Sequence, residues 1–197
     1  MKPLVIDGCV TQGDWSSWAV TSPDGLYRYA LGRNWDPDPG TGLWSGLWGS
    51  SRPTLVATLL NPSKARHDVD DPTLRKLVHF AKQEGCGGLF LRNLAAWSSS
   101  DPAELATVAD PFGPHNDTVL RICPDFATHL VAWGAISSPR IRKRLVHSIA
   151  TIKTVPMRWL LCLGVTKSGE PKHPLYLPNA TRMVSWATAL EQQAKGV

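Results

Sequence analysis

From Leu55 onward the chain alternates short, evenly apolar runs with longer amphipathic stretches, a rhythm that few folds accommodate. The runs are Leu55 to Leu60, Gly88 to Leu91, His129 to Trp133 and Trp159 to Leu163. Each is too short and too uniformly apolar for a surface helix, and each is followed by a polar residue or a glycine, as strands buried on both faces are. Between them, Asp71-Pro72-Thr73 sets an acidic N-cap before a proline at the first helical position; Leu74, Leu77, Val78 and Ala81 then share one face until Gly85 ends the helix. Pro139 opens a second helix over Arg140 to Ala150 with Ile141, Leu145 and Ile149 as its buried stripe, and a last helix is expected after Asn179, running to about Lys195. This order predicts an α/β fold, three layers α/β/α around a central four-stranded, mostly parallel sheet.

The first 50 residues follow a different pattern. Leu26 to Leu31 alternates like one strand of a hairpin, and Gly32 to Gly49 reads as a loop rich in tryptophan. Residues 1–50 are therefore expected as an antiparallel β-hairpin and loop appendage on the α/β domain of residues 51–197, the two forming one structural unit. With 197 residues, 43% hydrophobic and 19% charged, the chain has enough apolar material for one core, which excludes a disordered or collagen-like chain. No apolar run reaches the roughly 18 residues of a membrane-spanning helix, and Asp7 interrupts the start of the chain where a secretory signal is apolar, so a cytoplasmic protein without membrane association is expected. Cys9, Cys86, Cys123 and Cys162 lie far apart with no metal-ligand spacing, and read as reduced, buried thiols; no metal is expected.

The net charge of +5 conceals an asymmetry. Residues 1–120 carry 10 basic and 13 acidic side chains, a balance of −3, whereas residues 121–197 carry 11 and 3, a balance of +8. Such a basic half suits a polyanionic partner or a merely solvated face.

In a parallel sheet the ligand site lies beyond the carboxyl ends of the strands. After the four runs come Asn61-Pro62-Ser63, Asn93-Leu94, Trp133-Gly134-Ala135, and Gly164 with a loop leading to His173-Pro174-Leu175-Tyr176. This set holds no serine or cysteine nucleophile beside an evident base and no phosphate-cradling glycine loop. It offers amides that can read a base edge or hold a water, and an imidazole that can stabilise developing negative charge, an inventory suited to hydrolysis of an N-glycosidic bond.

The succession Leu60-Asn61-Pro62-Ser63, Arg92-Asn93-Leu94, Val131-Ala132-Trp133-Gly134-Ala135 and His173-Pro174-Leu175 resembles the uracil-DNA glycosylase superfamily. The chain also resembles a bacterial and phage family carrying Asn-Pro-Ser, Asp-Asp-Pro-Thr, Gly-Pro-His-Asn and His-Pro-Leu-Tyr, here Asn61 to Ser63, Asp70 to Thr73, Gly113 to Asn116 and His173 to Tyr176. The resemblance spans about Leu55 to Leu177. It implies a uracil-DNA-glycosylase-like fold and a monofunctional DNA glycosylase that needs no cofactor. By the same resemblance Asn61 and His173 are catalytic, orienting water and stabilising the leaving base, while Ser63, Asn93 and Trp133 bind the extruded pyrimidine. Leu175 and Tyr176, with Leu177, supply a wedge into the duplex. Ser63 stands where the uracil-specific branch has a bulky aromatic, which implies room for a C5 substituent such as the hydroxymethyl or glucosyl groups of phage DNA, and hence antiviral defence. Arg140, Arg142, Lys143 and Arg144 are the expected phosphate contacts. Asp71 and Asn116 are further candidates.

Structural alternatives stand beside each of these. Asn61-Pro62 also opens turns, Asn93 also caps one, Asn116 also starts or caps a helix running towards Ile122, Asp70 and Asp71 also cap helices, His173 also suits a plain surface position, and the basic cluster also suits a solvated helix face. For the whole chain, the alternatives are a non-catalytic module binding a nucleotide or modified DNA, a uracil or mismatch repair glycosylase, and a hydrolase of free nucleosides.

Overall fold

The computed structural model describes residues 4–12, 15–36, 52–63, 68–122, 127–152 and 159–196. Trp44, Trp48 and Cys123, most of the expected tryptophan-rich loop, and the side chains of Cys9 and Leu145 lie outside the described residues.

The described residues form a mixed α/β structure around one eight-stranded sheet. Its strands are β1 (Val5–Gln12), β2 (Trp15–Thr21), β3 (Arg28–Asn34), β4 (Thr54–Leu59), β5 (Gly88–Asn93), β6 (Thr128–Val131), β7 (Leu160–Cys162) and β8 (Val184–Ser185). Their order across the sheet is β1-β2-β3-β5-β4-β6-β7-β8. Among the described residues the helices are α1 (Pro72–Gln83), α2 (Asn116–Leu120), α3 (Pro139–Ile152) and α4 (Trp186–Ala194), with short 3-10 turns at Pro102–Ala106 and Pro174–Tyr176.

Each of the four apolar runs became a strand, and β5, β4, β6 and β7 are joined by parallel pairings. The sheet nevertheless has eight strands where four are expected, and four of its seven pairings are antiparallel. The excess comes from both ends. At the N-terminus β3 extends through Gly32 to Asn34, where the sequence pattern predicts loop, and pairs antiparallel with β5, with Ala30 facing Arg92. The seven residues of β3 are all buried, so the hairpin is part of the sheet interior. Gly32 permits this: a Cβ there would lie 2.1 Å from Cε2 of Trp18, whose ring covers the glycine and sits 5.7 Å from Phe90. At the C-terminus the last helix begins only at Trp186, because residues 184–185 pair with β7 first.

Strand periodicity sorts the interior. Leu55, Ala57 and Leu59 of β4 and Leu89 and Leu91 of β5 pack with Leu74, Leu77 and Phe80 of α1. The intervening Val56 and Phe90 join Trp18, Tyr29 and Val119. Val131 and Trp133 pack instead with Ile141 and Ile152 of α3 and Trp186 of α4. The expected start of α1 holds: Asp71 is its N-cap, accepting a hydrogen bond from the Leu74 amide at 2.7 Å, with Pro72 at the first helical position. Cys86 and Cys162 are buried free thiols, their pKa values pushed up by burial. Among the described residues no helix is long and apolar enough to cross a membrane.

Candidate functional site

Parallel pairing brings the carboxyl ends of β4, β5 and β6 to one edge, and backbone hydrogen bonds lace the segments beyond them. Leu94 N donates to Leu59 O at 2.9 Å, Ala95 N to Leu60 O at 2.8 Å and Ser99 N to Pro62 O at 3.0 Å. Gly134 N donates to Pro171 O at 2.9 Å, drawing the segment before His173 to the same edge. Gly134 has φ 76°, and a Cβ on it would meet the His173 Cβ at 3.2 Å, so a glycine lets the histidine close in.

These segments enclose a cavity of about 400 Å³. Asn61, Ser63, Asp71, Asn93, Trp133 and His173 all line it, and Leu175 and Tyr176 complete that wall. Asn116 does not line it. Its buried amide Nδ2 donates to Asn93 O and Leu94 O, each at 3.0 Å, so it holds the turn that presents Asn93; it is also the first residue of α2, as its helix-starting alternative has it.

The hydrogen-bond states of these groups differ. Asn61 uses Nδ2 on Ser99 O at 2.9 Å and Pro62 O at 3.1 Å, which fixes the amide and leaves Oδ1 as its acceptor. His173 Nδ1 accepts from the Leu175 amide at 3.3 Å, so the neutral ring carries its proton on Nε2. Burial lowers the His173 pKa, against an opposing pull from Asp71, and keeps the ring neutral at physiological pH. Asn93 is 1% exposed and Trp133 2%, yet Asn93 Nδ2 and Trp133 Nε1 find no acceptor among the described residues. A buried polar atom left without a partner costs about 1–3 kcal/mol. Both residues belong to the cavity wall.

The cavity also takes in an arginine outside the strand-end motifs. Arg28 is 5% exposed and lines the cavity beside Asp71. Burial lowers its pKa to about 10 against the opposing charge of Asp71, with Arg33 adding to the lowering. It remains a cation at neutral pH. Arg28 begins β3, whose antiparallel pairing with β5 sets the start of one strand beside the carboxyl end of the other; its amide donates to Ala96 O at 2.9 Å. Arg28 follows none of the four apolar runs; its mark in the sequence is an arginine inside the alternating Tyr27-Arg28-Tyr29 segment. Asp71 itself accepts from Ser63 Oγ. Its neighbour Asp70 pairs with Arg33 at 2.7 Å and caps no helix.

Residues 28–175 match a family described as a protein of unknown function, DUF1643. The chain belongs to this family. No curated protein and no solved structure matches it. The matched span of this DUF1643 chain opens on Arg28 and takes in the strand ends that line the cavity.

The basic cluster of the DUF1643 chain is engaged in the fold. Arg140 donates to Val108 O at 2.9 Å and Ala109 O at 2.6 Å. Arg142 pairs with Glu170 at 2.7 Å and bonds Ile136 O. Arg144 holds both Asp117 oxygens at 2.7 Å and lies 5.0 Å from the Phe112 ring centroid. These three guanidinium groups brace α3 to the segments around it. Of the four, Lys143 is the exposed side chain without an internal acceptor among the described residues. None of the four lines the cavity. Trp35 is likewise placed away from it, its indole donating to Cys86 O at 2.9 Å and its ring 5.7 Å from Trp15.

Proposed function

We propose that the chain is a monofunctional DNA glycosylase that hydrolyses the N-glycosidic bond of an extruded, C5-modified pyrimidine and leaves an abasic site. The observation that carries this reading is the convergence of four separate strand-end motifs on one cavity, two of whose lining residues, Asn93 and Trp133, carry a buried donor with no acceptor among the described residues. The contiguous parallel strands β5, β4, β6 and β7, with α1 packed on alternate residues from those that meet α3 and α4, support the uracil-DNA-glycosylase-like, three-layer reading of the core.

In this mechanism Asn61 Oδ1 accepts a hydrogen bond from a water and aims its oxygen at C1′ of the sugar. The C1′–N1 bond breaks, its electron pair leaves with the base, and the water oxygen becomes the new hydroxyl on C1′. The His173 Nε2–H donates to the oxygen of the base on which negative charge collects, and the proton released by the water ends on the departed base. Asn93 and Trp133 donate to acceptors of the base edge. A volume of about 400 Å³ lies in the range that holds drug-sized ligands rather than one bare ring, and Ser63 leaves one flank uncrowded. Arg28 and Asp71 there offer a donor and an acceptor of balanced charge, which favours a neutral hydroxyl-bearing substituent over an anionic one. Hydroxymethylated or glucosylated cytosine of phage DNA fits that description, which makes antiviral defence the proposed role. Extrusion of a base costs a few kcal/mol, offset by phosphate contacts such as Lys143 and by the Leu175 and Tyr176 wedge.

The test is incubation with DNA containing uracil, 5-hydroxymethylcytosine or its glucosylated form, followed by detection of alkali-labile sites. Product from a C5-modified base, reduced about 10²–10³-fold in Asn61→Ala and in His173→Ala, is expected. Release of uracil alone would favour the repair reading. Salt-dependent DNA binding without product would favour the non-catalytic module. Activity that survives in the double variant would overturn the mechanism.

A further inference from the structure

We propose that Lys76, on the second turn of α1, is a positioning residue that holds the Leu175–Tyr176 segment rigid at the cavity mouth and thereby makes the protein competent on duplex DNA; this rests on the glycosylase reading above. Tyr176 is 86% exposed although it borders a cavity, an unusual place for a large aromatic ring. A side chain that wedges between stacked bases works against an unstacking cost of a few kcal/mol, so the backbone that carries it must not yield.

The backbone on both sides of Tyr176 is pinned. Upstream, Lys172 N donates to Gly164 O at 2.9 Å and the His173 ring caps the short 3-10 turn. Downstream, Leu177 N donates to Pro174 O at 3.2 Å, and the Leu177 side chain packs on the core that contains Leu74, Leu77 and Phe80 of α1. The Lys76 ammonium then donates to Leu177 O and to Asn179 Oδ1, both at 2.6 Å. His79, three residues along and on the same helix face, adds a contact from Nε2 to Asn179 O at 3.0 Å. Helix α1 thus touches the site twice: its N-cap Asp71 lines the cavity, and its Lys76 face carries the loop that leads away from Tyr176.

The role predicts a defect that depends on the form of the DNA. Lys76→Met keeps the aliphatic stem and removes the ammonium, so the helix retains its packing while the loop loses its charged anchor. Single-turnover excision from duplex oligonucleotides containing uracil or 5-hydroxymethylcytosine is expected to fall at least tenfold in Lys76→Met. Excision from the same strands unpaired should change less than twofold, since no stack must be opened. Lys76→Arg, which restores a cation and donors, should recover most of the duplex rate. Equal losses on both forms, or no loss on either, would overturn the role. If the unaltered protein releases no base from any of these strands, the glycosylase reading fails on its own account. Duplex opening is then read by 2-aminopurine fluorescence: a rise with the unaltered protein that Lys76→Met lacks supports the positioning role, and identical responses overturn it.

Discussion

Two groups of polar side chains in this molecule stand in opposite states. The arginines of α3 form one basic patch in the sequence, yet Arg140, Arg142 and Arg144 each give terminal guanidinium donors to carbonyls or carboxylates of the same chain, though Arg144 Nε finds no acceptor among the described residues. The strand-end amides look unremarkable as isolated residues, yet the Asn93 Nδ2 group is buried with no acceptor among the described residues, as is the indole nitrogen of Trp133. Charge in a sequence therefore says little about availability. A satisfied cation is a brace, whereas an unsatisfied buried dipole is tolerated at a cost that a ligand can repay. The difference separates groups whose loss should reduce stability from groups whose loss should reduce function.

The largest expected effect breaks that contrast at the amide end. Asn93→Leu should reduce base release about 10²–10³-fold while leaving the denaturation midpoint within the range of ordinary surface changes, because it removes a buried donor that the fold does not use. A large loss of stability together with activity would mean that Asn93 is part of the scaffold after all.

His129 is expected to give the next largest effect. It is 7% exposed, and burial, reinforced by the charge of Arg92, lowers its pKa to about 4. The unfolded chain takes up this proton near pH 6.5 and the folded chain only near 4, so the unfolded state gains protons first as the pH falls through that window. Stability should therefore decline between pH 6.5 and 4, by at most about 3 kcal/mol from this group, with His173 contributing in the same direction. Urea denaturation across that range would measure the slope, and His129→Gln should flatten it.

The smallest effect belongs to the braces. Arg144→Met, which releases the Asp117 carboxylate and the contact over Phe112, should cost about 1–2 kcal/mol of stability. It should leave the salt dependence of DNA binding unchanged, whereas Lys143→Glu should make binding weaker. A reduced salt slope in Arg144→Met would return that arginine to the proposed DNA contact.

Most of the core strands and of the cavity wall were legible because both follow from local pattern. Runs of apolar residues mark strands, Asp71-Pro72 marks a helix start, and a parallel sheet sends its strand ends to one edge. The extra strands were harder to read. Residues 5–12 and 15–21 alternate weakly, and β8 has two residues, so their place depends on a partner strand more than on their own composition. Arg28 escaped notice for a related reason, since only the antiparallel seating of β3 against β5 sets its side chain at a cavity built from parallel strands.

By itself the sequence determined which segments become buried strands, where α1 begins and which amides and imidazole follow the strands, because near-neighbour sterics, capping and hydrophobic periodicity act over a few residues. The tertiary structure alone decided that the sheet grows to eight strands, that Arg28 joins the cavity, and that three α3 arginines bind acceptors of the same chain while the Asn93 amide Nδ2 finds none among the described residues. Those outcomes depend on which distant groups meet in space, and hydrogen-bond satisfaction is a property of such meetings.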